Sequence, residues 1–197
     1  MTSRPSGELH SEMGATLILR WIEEHFKDVM LGVLPMLPVE VVLARPASSH
    51  HYRVFITLGR KSLYDGDGVA VELMMNVPIT VAQSKMDDWH RNLTALLVGL
   101  REQLAHETEL LERRFLIFQL PEALGKFDSA LLLRSAQNDQ LSDGRQLSLL
   151  EVVLLHKNER LWETQVGVNV LIKRFQERGI STLFSADRPD VSDLSLQ

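Results

Sequence analysis

Apolar residues recur every three or four positions in three segments of the chain, which is the periodicity of an amphipathic helix. These segments are residues 15–30, a stretch from position 87 or 88 to about 112, and residues 159–178. The second has the strongest stripe, formed by Trp89, Leu93, Leu96, Leu97, Leu100, Leu104 and Leu111. Gly179 follows the third segment, where a glycine commonly ends a helix. The pattern therefore predicts three helices, each with one buried face.

Runs rich in β-branched and other apolar residues lie between these helices and predict β-strands. Three follow the first helix and three follow the second, at residues 39–44, 52–58, 69–77, 115–120, 127–134 and 147–156. The loop before the third run contains Asp-Gly-Asp-Gly at 65–68, a turn signal between two apolar segments. Hairpins, and hence antiparallel pairing, are expected here.

The order of elements predicts one α+β domain without internal repeats or a linker. We expect a mixed, mainly antiparallel sheet with helices packed on its faces, similar to an α/β/α sandwich. Residues 15–190 should form this domain, between a flexible N-terminal tail at 1–14 and a frayed C-terminal tail at 191–197. A Rossmann fold is not expected, because no G-x-G-x-x-G follows the first strand.

Composition removes several classes of function. The chain has no cysteine, which excludes disulfides, thiolate metal sites and a cysteine nucleophile. Its 21 basic and 26 acidic residues give a net charge of −5, and no basic stripe suits nucleic acid. No apolar run reaches the length of a membrane helix, and the first residues do not resemble a secretory signal. A cytoplasmic protein is the expectation.

Signatures of catalysis and of metal binding are missing from the sequence. There is no G-x-S-x-G, Walker loop or H-E-x-x-H. The pair His50–His51 fits a loop better than a metal site, since adjacent side chains point apart. Asp65 and Asp67 are spaced as in a calcium loop, but the fifth and twelfth positions hold Val69 and Asn76. We therefore expect no catalytic residue, cofactor or metal.

Two kinds of residue leave alternatives open. Glu72 lies inside an apolar run, where alternation along the strand puts its side chain on the other face of the sheet from Val71, Leu73 and Met75. It is either a solvent-facing strand residue or one end of a buried ion pair. The three tryptophans lie in helical stripes and should anchor the core, unless they converge on a cleft that binds a ligand.

An ordered set of segments matches a known pattern. It comprises a strand ending in threonine–x–glycine, a strand of the form E-L-x-x-x-x-P, a helix with an early tryptophan, and the ending G-x-x-x-L-x-x-x-x-R-P. The residues that carry it are Thr57 and Gly59, then Glu72, Leu73 and Pro78, then Trp89, and finally Gly179, Leu183, Arg188 and Pro189. Over residues 15–190 the chain resembles the suppressor of fused domain family. It departs from the family after Gly59, where Arg60 and Lys61 replace a Met-Ser turn.

The resemblance implies a non-catalytic module that binds a protein or peptide. The animal relative is similar to a clamp that holds a transcription-factor peptide as an added strand. Single-domain bacterial relatives look like toxin-immunity proteins, so an immunity-type or unassigned bacterial role is implied. The candidate binding or family-pattern residues are Gly59, Arg60, Asp65, Asp67, Glu72, Trp89, Asp187 and Arg188.

Other interpretations of the sequence remain open. Asp187 and Arg188 could instead form a local ion pair or a solvated chain end. The apolar stripes could serve a homodimeric structural or regulatory subunit. A small hydrolase-type enzyme would need acid/base groups such as Glu72, His90 and Asp187.

Overall fold

The computed structural model describes residues 6–31, 39–46, 51–59, 63–64, 69–79, 86–106, 115–134 and 139–192. Four helices and nine strands are formed within these residues. The helices are α1 (Ser6–His25), α2 (Met86–His106), α3 (Lys157–Val166) and α4 (Val168–Glu177). The strands are β1 (Phe26–Leu31), β2 (Val39–Pro46), β3 (Tyr52–Gly59), β4 (Leu63–Tyr64), β5 (Ala70–Pro78), β6 (Phe115–Leu124), β7 (Phe127–Arg134), β8 (Asp139–Gln140) and β9 (Gln146–His156).

The strands form one sheet in the order β1-β2-β3-β5-β9-β7-β6, with the short strands β4 and β8 paired to β5 and β9. Strands β5 and β9 are parallel, from Ala70 opposite Leu147 to Met74 opposite Glu151. The other pairs among the described strands are antiparallel. The prediction of a mixed, mainly antiparallel sheet is confirmed.

Helices cover both faces of this sheet. Helix α1 packs on the first half of one face, and α3 with α4 covers the second half of that face. Strand β9 shows the shared face, because Leu149 contacts the α1 cluster and Val153 and Leu155 contact the α3–α4 cluster. Helix α2 covers the opposite face, together with Phe184 from the C-terminal segment. These three layers confirm the α/β/α arrangement.

Alternation along β5 follows the sequence. Val71, Leu73 and Met75 are buried beneath α2, whereas Ala70 and Met74 belong to the α1 side. Two apolar rows on one strand are expected when helices cover both faces of a sheet. In the described helices, no segment has the length and apolar character needed to cross a membrane.

The N-terminal region differs from its prediction in two ways. Helix α1 begins at Ser6, inside the stretch expected to be a tail, and ends at His25 rather than near Met30. His25 Nδ1 is 2.8 Å from the carbonyl oxygen of Trp21 at this end. The residues that follow form β1, because pairing with β2 supplies hydrogen bonds that a further helical turn would otherwise make.

The last helix is also different, because it is broken into α3 and α4. Gly167 separates them with φ of 85°, a conformation that glycine adopts without steric cost. Its N–H donates to the Glu163 carbonyl oxygen at 2.7 Å, which closes α3. The periodic pattern continues through this glycine, so it predicted a single helix. Residues 107–112 of the predicted second helix lie outside the described residues.

Candidate functional site

Glu72 lies at the point where β3 and β5 separate. The two strands pair as far as Ile56 opposite Met74. Beyond that point, Leu73 N–H donates to Thr57 Oγ1 at 2.9 Å, and the Thr57 hydroxyl donates to Glu72 Oε2 at 2.6 Å. The Glu72 side chain therefore fills a gap that backbone pairing would otherwise close.

Arg101 of α2 neutralises this carboxylate. Its Nε lies 2.6 Å from Glu72 Oε2, and its Nη2 lies 2.8 Å from Oε1. Gly59 N–H donates to Oε1 at 3.3 Å. Glu72 is fully buried and Arg101 is almost so. Of the two alternatives from the sequence, Glu72 is thus one end of a buried ion pair, and its oxygens are occupied by donors from the protein itself.

Gly59 is required by this arrangement for a steric reason. A Cβ atom placed on Gly59 would overlap the guanidinium group of Arg101. Glycine leaves space for the arginine to reach Glu72 from α2. The threonine–x–glycine ending of β3 therefore serves the packing of this ion pair.

Arg188 forms a second buried ion pair, with Glu159 near the start of α3. Its Nη1 and Nη2 atoms each lie 2.6 Å from a different Glu159 oxygen, the bidentate geometry that arginine favours with carboxylates. Nη2 also donates to the Leu154 carbonyl oxygen at 2.8 Å. Glu159 is fully buried and accepts the backbone N–H groups of His156 at 2.9 Å and Val191 at 3.1 Å.

Aromatic rings and a histidine complete the surroundings of Arg188. Its guanidinium carbon lies 5.0 Å from the ring centroid of Phe175 and 5.6 Å from that of Phe127, within cation–π range. His156 Nε2 lies 3.0 Å from the Arg188 carbonyl oxygen. Because a carbonyl can only accept, this nitrogen carries the proton. The network ties the C-terminal segment to the end of β9 and the start of α3.

Among the remaining candidates, Asp187 alone has a side chain within the described part of the structure. Arg60, Asp65 and Asp67 lie outside the described residues. Trp89 lies in α2, and Asp187 is exposed beside buried Arg188. The structure thus places Glu72 and Arg188 in separate networks. Within the described part of the chain, no three His, Asp or Glu residues meet as a metal site would require.

A small cavity lies between the C-terminal segment and the sheet. It is lined by Met75, Phe127 and Phe184 among others, and Arg188 borders it. Its volume of about 10 Å³ is close to the minimum that one water molecule needs. This cavity is a packing gap and has no room for a substrate.

Sequence reasoning missed Arg101, His156 and Glu159. Arg101 follows Leu97 by four positions and precedes Leu104 by three, so it falls on the apolar stripe of α2. A charge at such a position signals a buried partner. Glu159 follows His156 by three positions at a helix start, the spacing at which an acidic side chain reaches back to the preceding backbone.

The two outer strands of the sheet differ in how well they could accept another strand. Strand β1 has an irregular register between Lys27 and Met30, and Asp28 within it has φ of 49°. Arg45 of β2 binds the Asp28 carboxylate at 2.6 Å. A bulge and charged side chains are the usual devices that prevent pairing at a sheet edge.

Strand β6 lacks these devices over half its length. It pairs with β7 without interruption from Phe115 opposite Leu133 to Gln119 opposite Ser129, and residues 115–120 carry no charge. Pro121 follows, and the register shifts there. Within the described residues, no strand pairs with the outer side of β6.

Comparison with known proteins now decides the family. A family model described as suppressor of fused protein (SUFU) matches residues 36–189, most of the chain. The chain belongs to the suppressor of fused family. A solved structure described as a SUFU homologue from Neisseria gonorrhoeae FA 1090 is similar to it at 15% identity and a TM-score of 0.59, covering 93% of this chain and 97% of that chain. At this identity, the likeness shows a shared fold. No curated protein matches the chain.

Membership of the suppressor of fused family confirms the resemblance found in the sequence. Four of the residues that carried the resemblance lie in the two buried networks of this suppressor of fused domain. Thr57, Gly59 and Glu72 form one buried network with Arg101, and Arg188 forms the other with Glu159. In this chain, these pattern residues hold elements of the fold together.

Proposed function

We propose that this suppressor of fused domain is a non-catalytic binding module that holds an extended segment of a partner protein along β6. The observation that carries the proposal is the regular, uncharged outer edge of β6. An extended peptide adds to such an edge through backbone hydrogen bonds, and its side chains supply the specificity. The bulge at Asp28 makes β1 a poor acceptor by comparison.

The non-catalytic part of the proposal draws support from two of the acid/base candidates, Glu72 and Asp187. A general base must reach a proton of the substrate. Glu72 instead accepts four hydrogen bonds inside the protein, from Thr57, Gly59 and twice from Arg101. Asp187 is exposed on the C-terminal segment and is not among the groups that bind Glu72.

The proposal is tested by blocking β6 and using β1 as the control. Ile117 on β6 and Val29 on β1 are both half-buried branched residues on outer strands. Lysine at an edge position opposes strand addition. The wild type, Ile117→Lys and Val29→Lys would each be co-expressed with the product of the neighbouring gene. We expect Ile117→Lys to lose the complex and Val29→Lys to retain it, with both variants folded by circular dichroism.

Amide hydrogen exchange on the wild-type complex tests the same point without a substitution. Binding at β6 should slow exchange of the outward-facing amides among residues 115–119 and leave residues 26–31 unchanged. Protection of β1 alone, or a complex that survives Ile117→Lys, would contradict the proposal.

The identity of the partner is a finer part of the proposal. We take it to be a toxin encoded beside this gene, as in immunity-type members of the family. Co-expression should then restore growth that the neighbouring product alone suppresses, and Ile117→Lys should abolish the rescue. If neither the wild type nor Ile117→Lys restores growth, the assignment of the partner as a toxin is wrong.

A second copy of the chain is the competing occupant of β6. Sedimentation equilibrium distinguishes it from a separate partner. We expect a monomer. A dimer that Ile117→Lys dissociates and Val29→Lys leaves intact would assign the edge to self-association instead.

A further inference from the structure

We infer that the segment held along β6 is apolar at consecutive positions, rather than alternating between apolar and polar residues. This inference rests on the proposed function and specifies its ligand. It follows from what lies on each side of β6, because successive side chains of an added strand point to opposite faces of the sheet.

On the face covered by α4, the margin of the core is apolar and incompletely buried. Ile117 of β6 and, from α4, Val168 and Ile172 each pack against the same buried cluster, and all three keep part of their surface exposed. Arg174 of the same helix lies 5.6 Å from the ring centroid of Trp162 in α3, on a different side of α4 from Val168 and Ile172. An added strand would place one row of side chains beside Ile117.

The face covered by α2 presents the same kind of margin. Phe118, the next residue along β6, packs against the cluster beneath α2 and is also only partly buried. Leu96 of α2 packs against the same cluster and is also partly buried. The second row of side chains from an added strand would therefore also meet apolar surface.

Beside Ile117 and Phe118, both rows of the ligand would thus lose contact with water against apolar groups, and exposed Gln119 ends the apolar margin on the Ile117 face. A polar side chain beside Ile117 or Phe118 would be desolvated without a partner, which opposes binding. Residues 115–120 offer no charge to compensate. The regular pairing of β6 ends at Gln119, ahead of Pro121. An extended ligand can therefore pair with β6 over about five residues.

The experiment selects ligands without assuming a partner. A displayed library of random nine-residue peptides is selected on the full wild-type chain, and the enriched peptides are tested on Ile117→Lys and Val29→Lys. We expect binders that weaken at least tenfold on Ile117→Lys and are unchanged on Val29→Lys. These binders should contain three or more consecutive apolar residues.

An asparagine scan of one such synthetic peptide then examines each row separately. If both faces are apolar, replacement at adjacent central positions should weaken binding by about tenfold each, in line with the burial of one apolar side chain. Slower amide exchange at residues 115–119 of the unsubstituted protein would place the peptide on β6 independently of any variant.

The possible results separate this inference from the proposed function. Losses at every second position only, with the peptide on β6, would overturn the inference and leave the proposed function intact. Selection that yields no binder dependent on Ile117 and no protection of β6 would overturn both. Loss at adjacent positions, with protection at β6, supports both.

Discussion

Replacement of Arg188 by methionine is expected to destabilise the protein severely. Methionine has a similar length and can remain between Phe127 and Phe175, but it removes both bonds to Glu159 and the bond to the Leu154 carbonyl. Glu159 would then remain fully buried without its cation. Its remaining donors would be the backbone N–H groups of His156 and Val191.

The magnitude follows from the burial of the pair. Breaking a buried ion pair by removing one partner typically costs about 3–5 kcal/mol, because the other charge is left uncompensated. Domains of this kind have a free energy of unfolding of about 5–15 kcal/mol, so the loss is a large part of the total. An exposed pair offers the control. Arg145 Nε lies 2.6 Å from Asp143 Oδ2, and 25% of the Arg145 side chain and 37% of the Asp143 side chain are exposed. Arg145→Met should therefore cost less than about 1 kcal/mol.

Urea unfolding followed by tryptophan fluorescence measures these differences. Trp162 belongs to the same cluster as Phe175, so it reports on the region that Arg188 holds. Arg188→Met should lower the unfolding midpoint while leaving the slope with urea unchanged, which separates a change in stability from a change in compactness. The double variant Arg188→Met/Glu159→Gln provides the stricter test.

In that double variant the stranded charge is removed as well. The two single costs should therefore fail to add, by about 2–3 kcal/mol, as expected for directly paired residues. A loss from Arg188→Met as small as that from Arg145→Met would refute the reasoning. So would costs that simply add, because the two side chains would then not be coupled.

Three further outcomes are expected. Gly59→Ala should cost about 1–3 kcal/mol, since its Cβ would overlap the Arg101 guanidinium, and thermal denaturation should show a lower midpoint. Gly99→Ala, in helix α2 with no atom near the added Cβ, should instead stabilise by about 0.5–1 kcal/mol; a loss there would contradict the steric explanation for Gly59. Burial alone would raise the pKa of Asp143, but hydrogen bonds from Arg145 lower this pKa overall. The stability that the Asp143 carboxylate adds to the fold should therefore be present above pH 3.8, the ordinary pKa of the group, and be lost as the pH falls through the lowered pKa. Asp143→Asn should remove this small pH-dependent contribution to the free energy of unfolding. If the variant and the wild type lose stability identically as the pH falls, the stabilising role of Asp143 is wrong.

Most of the sheet could be predicted because its strands are distinct apolar runs. Strands β2, β3, β5, β7 and β9 match their predicted segments closely. Strand β1 was missed for a physical reason. Phe26, Val29 and Met30 fit the spacing of a helix face equally well, and pairing with β2 decides between the two. The break at Gly167 was missed because a single glycine is compatible with a continuing helical pattern.

Less of the candidate site could be predicted, because its partners are distant in the sequence. Glu72 was recognised as unusual within an apolar strand, and a buried ion pair was one of two interpretations. The partner, Arg101, lies 29 residues later on the next helix, α2, and only the fold brings the two together. Arg188 was noted for its family pattern, whereas Glu159 was not noted at all. The open edge of β6 depends on strand order, which local periodicity does not determine.

The parallel contact between β5 and β9 has a consequence for how the protein folds. Strands β2, β3 and β5 pair with close neighbours in sequence, and so do β6 and β7. Ala70 must instead meet Leu147, and the entropy of closing such a long loop delays that contact. Kinetic φ-values should therefore be higher for Val42→Ala in β2 than for Leu149→Ala in β9. Until the contact closes, two apolar central strands have unpaired sides, so the risk of aggregation is greatest during folding, at strands that the native protein hides.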